Sequence, residues 1–405
     1  MIDRRQMLKS AGGLALGAAA GVIGGSRFAA LAAETIKLPF ENGERQLVTF
    51  PGKRPLIGLT NRPPQLETPF SVFNEGLITP NDAFFVRYHL ADIPLSIDPD
   101  TFRLEIKGKV DKPLSLSLKD LKTKFKPVEL VAVHQCSGNS RGFVEPRIAG
   151  GQLGNGAMGN ARWKGVPLKA VLDKAGVQAG AVQVTFAGLD GPVIPETPDF
   201  TKALPIDHAR DSEVMLAYAM NGSDLPWLNG FPLRLVVPGH YGTYWVKHLN
   251  EITVLDKEFD GFWMKSAYRI PDNDCACVEP GKAPGATVPI NRFNIRSFIT
   301  SVEDGAKVKA GDLALRGIAF DGGFGITEVD VSADGGRTWR KATLGKELGK
   351  YSFREWKAKV SLPAGEHALM VKATNAKGQT QPAKAMWNPA GYMRNVIETT
   401  RVTAA

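Results

Sequence analysis

Hydrophobic and polar positions follow different periods in successive stretches of this chain, and the changes mark its elements. From Ala11 to Gly25 nearly every residue is apolar or glycine, with no alternation. Between 33 and about 75 no period holds, and Pro51, Pro55, Pro63, Pro64 and Pro69 predict an extended arm along the surface. From about 76 to 279 strand and helix patterns mix. Phe84-Phe85-Val86 and Phe102–Ile106 predict strands, Leu118–Lys124 and Leu168–Ala175 predict short helices, and Val131-Ala132-Val133 ends a buried strand. Leu233–Val237 is apolar apart from Arg234 and suits a strand covered on both faces. Pro280, Pro284 and Pro289 mark a linker. Beyond it the period is two, at Leu313/Leu315, Val329/Val331 and Leu369/Val371, with a turn at Asp334-Gly335-Gly336. Short strands at this spacing predict a β-sandwich of immunoglobulin type over 280–405, without the Cys…Trp…Cys framework of antibody domains.

The first apolar stretch changes the picture of where the protein works. It is 15 residues long, short for a membrane span, and Arg4-Arg5 precedes it. Ala30-Leu31-Ala32 follows as a small-x-small cleavage pattern. This is the layout of a twin-arginine export signal over 1–32, which predicts a periplasmic protein handed to the twin-arginine machinery already folded around a cofactor. The mature chain then begins near Ala33. No other segment is apolar enough to span a bilayer, so an integral membrane protein is not expected.

The full chain has 405 residues and a formal charge of +9. The signal holds Arg4, Arg5, Lys9 and Arg27 against Asp3, which leaves the mature protein near +6. That balance suits an anionic substrate or an acidic redox partner. Nucleic acid does not fit: the basic residues are dispersed and no nucleic-acid motif is present.

The three cysteines are Cys136, Cys275 and Cys277. Cys275 and Cys277 are either free or an unusual short-range disulfide. No Cys-x-x-Cys-His attaches a haem, and no cysteine cluster suits an iron–sulfur centre. Cys136 sits in His134-Gln135-Cys136-Ser137-Gly138-Asn139-Ser140-Arg141. An apolar strand leads into it, and Gly138 and Asn139 suit the positive φ of a tight turn. Arg141 favours the thiolate, which is both a soft metal ligand and a nucleophile. A buried structural cysteine is the plainer reading of such a residue taken alone.

Other cations gather in the same region. Arg87 and His89, at i and i+2, project from one face of their strand. Arg234 enters an apolar run and needs an anionic partner. Trp245-Val246-Lys247 and Arg162-Trp163-Lys164 add basic–aromatic steps. Several cations around one cysteine repel one another, and a bound polyanion would resolve the repulsion.

These segments resemble the sulfite oxidase family of molybdenum enzymes, and most closely the catalytic subunit of bacterial sulfite dehydrogenases that reduce a cytochrome c. The resemblance runs from about 60 to 405. It rests on Phe84–His89, Gln135–Arg141, Asn160–Gly165, Leu216–Gly222, Gly230–Gly239 and, near the C-terminus, Val329–Trp339. It implies an α+β chain: a mixed α/β molybdopterin-binding domain over 76–279, then the immunoglobulin-like sandwich, which serves dimerisation or docking. It implies Cys136 as the protein ligand to molybdenum. Phe84, Val86, Arg87 and His89 match a segment lining cofactor and substrate. Arg87 and Arg141 match substrate-side arginines, and Asp190 matches a pterin contact. Arg234, Trp245, Val246 and Lys247 match the cofactor's phosphate pocket, and Tyr268 matches the active-site tyrosine.

The chain departs from the family pattern in three places. Asn229-Gly230-Phe231-Pro232 has Asn229 where many members have histidine, which alters one cofactor contact. Leu153 stands where animal members have a pocket tryptophan. Trp387-Asn388-Pro389-Ala390 lacks an arginine at its last position, for which Arg394 is a candidate substitute. The animal enzymes' haem b5 domain is not expected, nor any haem on this chain. The implied reaction is oxidation of sulfite to sulfate at molybdenum–molybdopterin, with electrons leaving to a c-type cytochrome. The protein would work as a homodimer or a heterodimer with that cytochrome. A sulfane dehydrogenase component of a sulfur-oxidation system is the nearest alternative, and an exported binding module without catalysis is another.

Overall fold

The computed structural model describes residues 34–38 and 43–405. The export signal expected over 1–32 lies outside them. Residues 35–405 pack as one compact unit. Strands dominate, and the four α-helices among the described residues are all short.

The two predicted helices occupy Leu118–Lys124 and Leu168–Ala175. The first starts where it does because Ser117 caps it. The Ser117 hydroxyl accepts from the Asp120 N–H and the Asp120 carboxylate accepts from the Ser117 N–H, both at 3.1 Å. Leu118 and Leu121 face inward. The second ends on Gly176 in the left-handed region, the usual helix stop.

One sheet of the N-terminal half has the order Ser223–Asp224, Met215–Met220, Met158–Pro167, Val128–Gln135, with Arg234–Val236 added against Met215–Met220. Another has the order Thr201–Pro205, Gln183–Gly188, Leu249–Leu255, Leu104–Gly108, Leu114–Leu116. In the latter, Leu249–Leu255 and Leu104–Gly108 run parallel.

The N-terminal segment is not the aperiodic arm its prolines suggest. Thr35–Lys37, Glu44–Val48, Leu56–Asn61 and Pro64–Glu67 form an antiparallel sheet completed by Val86–Arg87. Pro64 is tolerated as the first residue of its strand. The strand predicted over Phe84-Phe85-Val86 shrinks accordingly to Val86–Arg87, paired as Leu66↔Val86 and Gln65↔Arg87. Phe84 instead stacks on the His134 ring, and Phe85 lies tilted against it.

The expected linker is also ordered. Thr287–Pro289 pairs with Arg269–Pro271. Beyond it, Arg296–Ile299, Gly311–Phe320, Arg354–Leu362 and Thr343–Leu344 make one sheet. Ala306–Val308, Glu398–Ala404, Gly365–Asn375, Ile326–Ser332 and Arg340–Lys341 make the other. Leu315, Val360 and Trp356 from the first sheet and Val329, Val371 and Val402 from the second share one core. Phe298, Phe320 and Phe353 belong instead to the core of the N-terminal half, so packing is continuous across the predicted boundary at 280.

Candidate active site

The strand Val128–Gln135 pairs with Met158–Pro167 up to Gln135↔Met158, and Cys136 follows at once. Its N–H donates to the Ala157 carbonyl at 2.9 Å, so the loop leaves the sheet with its last hydrogen bond intact. The left-handed residue of the turn is Ser140, at φ 70°, not Gly138 or Asn139. Gly138 lies under the Arg141 guanidinium: a Cβ there would come within 2.8 Å of it, and the arginine side chain would have to shift. Asn139 ties the turn down, taking the Ala157 N–H at 3.0 Å and donating to Gln135 Oε1 at 3.2 Å. The loop is thus fixed by its own polar side chains.

Cys136 lines two adjoining cavities. The inner one is walled by Phe85, Arg87, Tyr88, His89, His134, Ser137, Asp190, Asn229, Arg234, Trp245, Val246, Lys247 and Tyr268, among others. The outer one, about 410 Å³, is lined by Gln65, Arg141, Leu153, Ala390 and Tyr392. Arg87, Cys136 and Tyr268 belong to both.

Five buried polar atoms on inner-cavity residues have no hydrogen-bond partner among the described residues: Arg87 Nη1, Arg234 Nε, His134 Nδ1, Ser137 Oγ and Thr243 Oγ1. Orphaned buried donors of this kind are rare unless a ligand takes them. The cations are equally unusual. Arg234 is fully buried between the rings of Trp163 and Trp245, at 5.0 and 5.6 Å, and donates only to the carbonyls of Asn229 and Trp245. Burial lowers its guanidinium to about 9. Burial also pulls the Lys247 ammonium well down, and Asp190 opposes that pull. Lys247 rests on the Tyr88 ring.

Tyr268 hydrogen-bonds His89 Nε2. His89 lies against Phe200, with ring centroids 3.8 Å apart, and meets Trp263 at 5.3 Å. Burial, then the charges of Arg87, Lys247 and Lys202, hold His89 neutral. Burial raises the Tyr268 phenol, which keeps its proton. The pair is therefore neutral.

The structure brings Arg87, His89, Cys136, Asp190, Asn229, Arg234, Trp245, Val246, Lys247 and Tyr268 around the inner cavity. Arg141 lies on the outer one, donating to the Ala390 carbonyl at 3.0 Å and facing the Tyr392 ring at 5.1 Å. Two predicted lining residues differ. The Phe84 and Val86 side chains point into separate cores, because the chain alternates inward and outward through this segment and Phe85 and Arg87 take the cavity side. Arg394 lines neither cavity; it pairs with Glu398 at 3.2 Å and donates to the Phe143 carbonyl. It does not replace the arginine missing at Ala390. Cys275 and Cys277 form a disulfide.

Sequence reasoning missed Lys53, Glu67 and His134. Lys53 donates to the carbonyls of Asn81 and Phe84 and to Asn229 Oδ1, at 2.6, 2.9 and 2.6 Å, which latches the segment carrying Arg87. Buried Glu67 takes the N–H groups of Gly154 and Gly156, at 2.9 and 2.7 Å. Both come from the misread arm. For His134 there was a signal: a polar ring at the end of an apolar strand, two residues before the cysteine.

Comparisons with known proteins bear on this geometry. Residues 90–263 match the model of the oxidoreductase molybdopterin binding domain, and 287–404 that of the Mo-co oxidoreductase dimerisation domain. Human mitochondrial sulfite oxidase is 36% identical over 85% of this chain and 65% of its own length. Sulfite oxidase of Gallus gallus is 33% identical over 85% of this chain and 77% of its own. The chain belongs to the sulfite oxidase family of molybdopterin oxidoreductases. It spans about two-thirds of the length of the human member, by that 65% coverage. Among solved structures, the sulfane dehydrogenase SoxCD from Paracoccus pantotrophus superposes with a TM-score of 0.72 at 28% identity, covering 88% of this chain and 87% of that one.

The residues fit the cofactor of the sulfite oxidase family. A phosphorylated, hydrogen-bonding organic group would satisfy the orphaned atoms of Arg234, His134, Ser137 and Thr243 and compensate the buried charges of Arg234 and Lys247. Cys136 offers a soft sulfur ligand at the junction of the cavities. Among the described residues no group of three or more His, Cys, Asp or Glu is placed to hold a metal. A metal at Cys136 needs further ligands of the kind a dithiolene supplies.

Proposed function

We propose that this chain oxidises sulfite to sulfate at a molybdenum centre in the periplasm and passes the electrons one at a time to a c-type cytochrome. The observation that carries the reading is the position of Arg87. It is shared by both cavities with Cys136 and Tyr268, and its buried Nη1 has no partner among the described residues. A planar guanidinium with a free donor beside a soft ligand is what an oxyanion substrate needs.

The bound cofactor would supply oxygen-atom transfer and two-electron storage. The protein's part is to hold, orient and protonate. Cys136 would ligate the metal. Arg234 and Lys247 would neutralise the cofactor's phosphate, and Trp245 and Val246 would wall its pocket. Arg87 from inside and Arg141 from outside hold the oxyanion and lower the cost of bringing a dianion into a closed site. Tyr268 keeps a phenolic proton in place on His89, and the Phe200 and Trp263 rings screen that bond from water.

The twin-arginine pattern at Arg4-Arg5 supports the periplasm, where cytochromes are the ready acceptors. A mature charge near +6 would steer an acidic partner. The region matching the dimerisation model, read as an immunoglobulin-like sandwich, would pair two chains or dock the cytochrome.

A second reading is favoured by one feature. Leu153 and Ala390 present side chains smaller than tryptophan and arginine to the outer cavity of about 410 Å³, which is more room than a four-atom anion requires. A sulfane carried on a partner protein would use that room. Steady-state oxidation of free sulfite against a persulfide-bearing carrier protein, with cytochrome c as acceptor, separates the two. Turnover of the carrier alone would decide for the sulfane.

A further inference from the structure

Behind Tyr268 lies another buried cation, Lys202. It stands in the strand Thr201–Pro205, opposite Phe186, with no exposed surface. Its ammonium donates to the Trp263 carbonyl at 2.5 Å. It lies 4.8 Å from the centroid of the Tyr244 ring and 5.2 Å from that of Tyr268. The charged group that acts on it is Arg269, not an acid. The short helices packed on its strand carry Lys265, Asp207 and His208; the first two are exposed and His208 faces Asp211.

Packing alone does not account for this residue. A buried ammonium with one carbonyl acceptor is costly, and methionine would fill the same volume without that cost. The two aromatic faces offset part of it. One of those faces belongs to the tyrosine that bonds His89. Trp263 touches both ends of the arrangement, with its carbonyl on Lys202 and its ring against His89.

We propose that Lys202 is a positioning residue that fixes the Tyr268–His89 pair with its proton on the phenol. The ammonium sits over the ring of Tyr268, the phenol that bonds His89. The same charge disfavours a second cation at His89, so Nε2 accepts. Lys202 is among the charges that hold His89 down, after burial, Arg87 and Lys247. Burial and Arg269 lower Lys202 itself to about 7, so its charge is present below neutral pH and lost above it.

This rests on the reading of the cavity as a sulfur-oxidising site. The test is a double-mutant cycle on the holoenzyme, with kcat and KM for sulfite followed across neutral pH in wild type, Lys202→Met, Tyr268→Phe and the double variant. The expected result is a roughly tenfold loss of kcat in Lys202→Met with KM little changed, and loss of the wild-type decline in activity as pH rises through neutrality. In the Tyr268→Phe background the same change should cost almost nothing. Equal losses in both backgrounds with an unaltered pH profile would overturn the proposal and leave Lys202 a packing residue. A wild type without turnover would fail the functional reading instead. The inference is then judged by ¹⁵Nζ-lysine NMR, which needs no substrate. A resonance missing from Lys202→Met should titrate near neutral pH and shift its midpoint in Tyr268→Phe. An identical midpoint in both proteins would overturn the coupling.

Discussion

Arg296 Nη1 donates a 2.9 Å hydrogen bond to Ser140 Oγ across 156 residues of sequence. Arg296 opens the first strand of the C-terminal half, and Ser140 is the left-handed residue of the cysteine loop. The same guanidinium pairs with Glu398 at 3.0 Å and is fully buried, which lowers it to about 10. The C-terminal half therefore braces the loop that presents Cys136.

Arg296→Met should accordingly destabilise the protein by about 1.5–3 kcal/mol, the usual loss for hydrogen bonds to a charged group. Arg394 remains as a partner for Glu398, which limits the loss. Urea unfolding measures it. Stability within about 0.5 kcal/mol of wild type, the range of neutral surface changes, would show the brace carries no load.

Cys136→Ser should keep the fold and lose nearly all turnover, because a hydroxyl is a harder ligand that deprotonates less readily than a thiol. Metal analysis beside the activity assay checks it. Wild-type sulfite oxidation by this variant would remove Cys136 from the metal.

Arg87→Met should lower kcat/KM for sulfite roughly tenfold to a hundredfold, matching about 1.5–3 kcal/mol for a charge-assisted contact. Arg87→Lys should lose less, since it keeps the charge but not the fork. Steady-state kinetics of both variants suffices, and unchanged constants in Arg87→Met would place its guanidinium away from substrate.

Much of this site was legible along the chain, for local reasons. The helices at 118–124 and 168–175 follow from local spacing, the Ser117 cap that starts the first and the Gly176 stop that ends the second. The cysteine loop follows from an apolar strand running into polar turn residues. What was not legible depends on distant pairing. The strands from Thr35 to Glu67 exist because Val86–Arg87 closes their sheet, and their prolines masked the pattern. Phe84 and Val86 could be assigned to a face only once that sheet fixed the register. Arg394 resembled a replacement for a missing arginine until Glu398 was found beside it.

Acid should destabilise the protein through its buried histidines. Burial holds His248 and His240 down to about 3, with Lys247 adding to the first and His208 to the second. The unfolded chain protonates near 6.5. Above that pH both states are neutral and stability is full. As pH falls from about 6.5 toward 3, only the unfolded chain gains protons, and stability drops by up to about 1.4 kcal/mol per pH unit for each such histidine. Urea unfolding between pH 7.5 and 5 should show this slope, and His248→Gln should make it shallower. Equal slopes would mean His248 is protonated in the native state.

Cytochrome reduction should slow as ionic strength rises, if charge guides the encounter. A stopped-flow series in salt checks this. Salt-independent reduction would point to a preassembled complex with the acceptor.

The most direct measurement is sulfite oxidation by purified protein of known molybdenum content, with cytochrome c and with oxygen as acceptors in parallel. About one molybdenum per chain, with cytochrome reduction far faster than oxygen consumption, is the predicted result. Metal-loaded protein that oxidises neither sulfite nor a sulfane carrier with any cytochrome would contradict it.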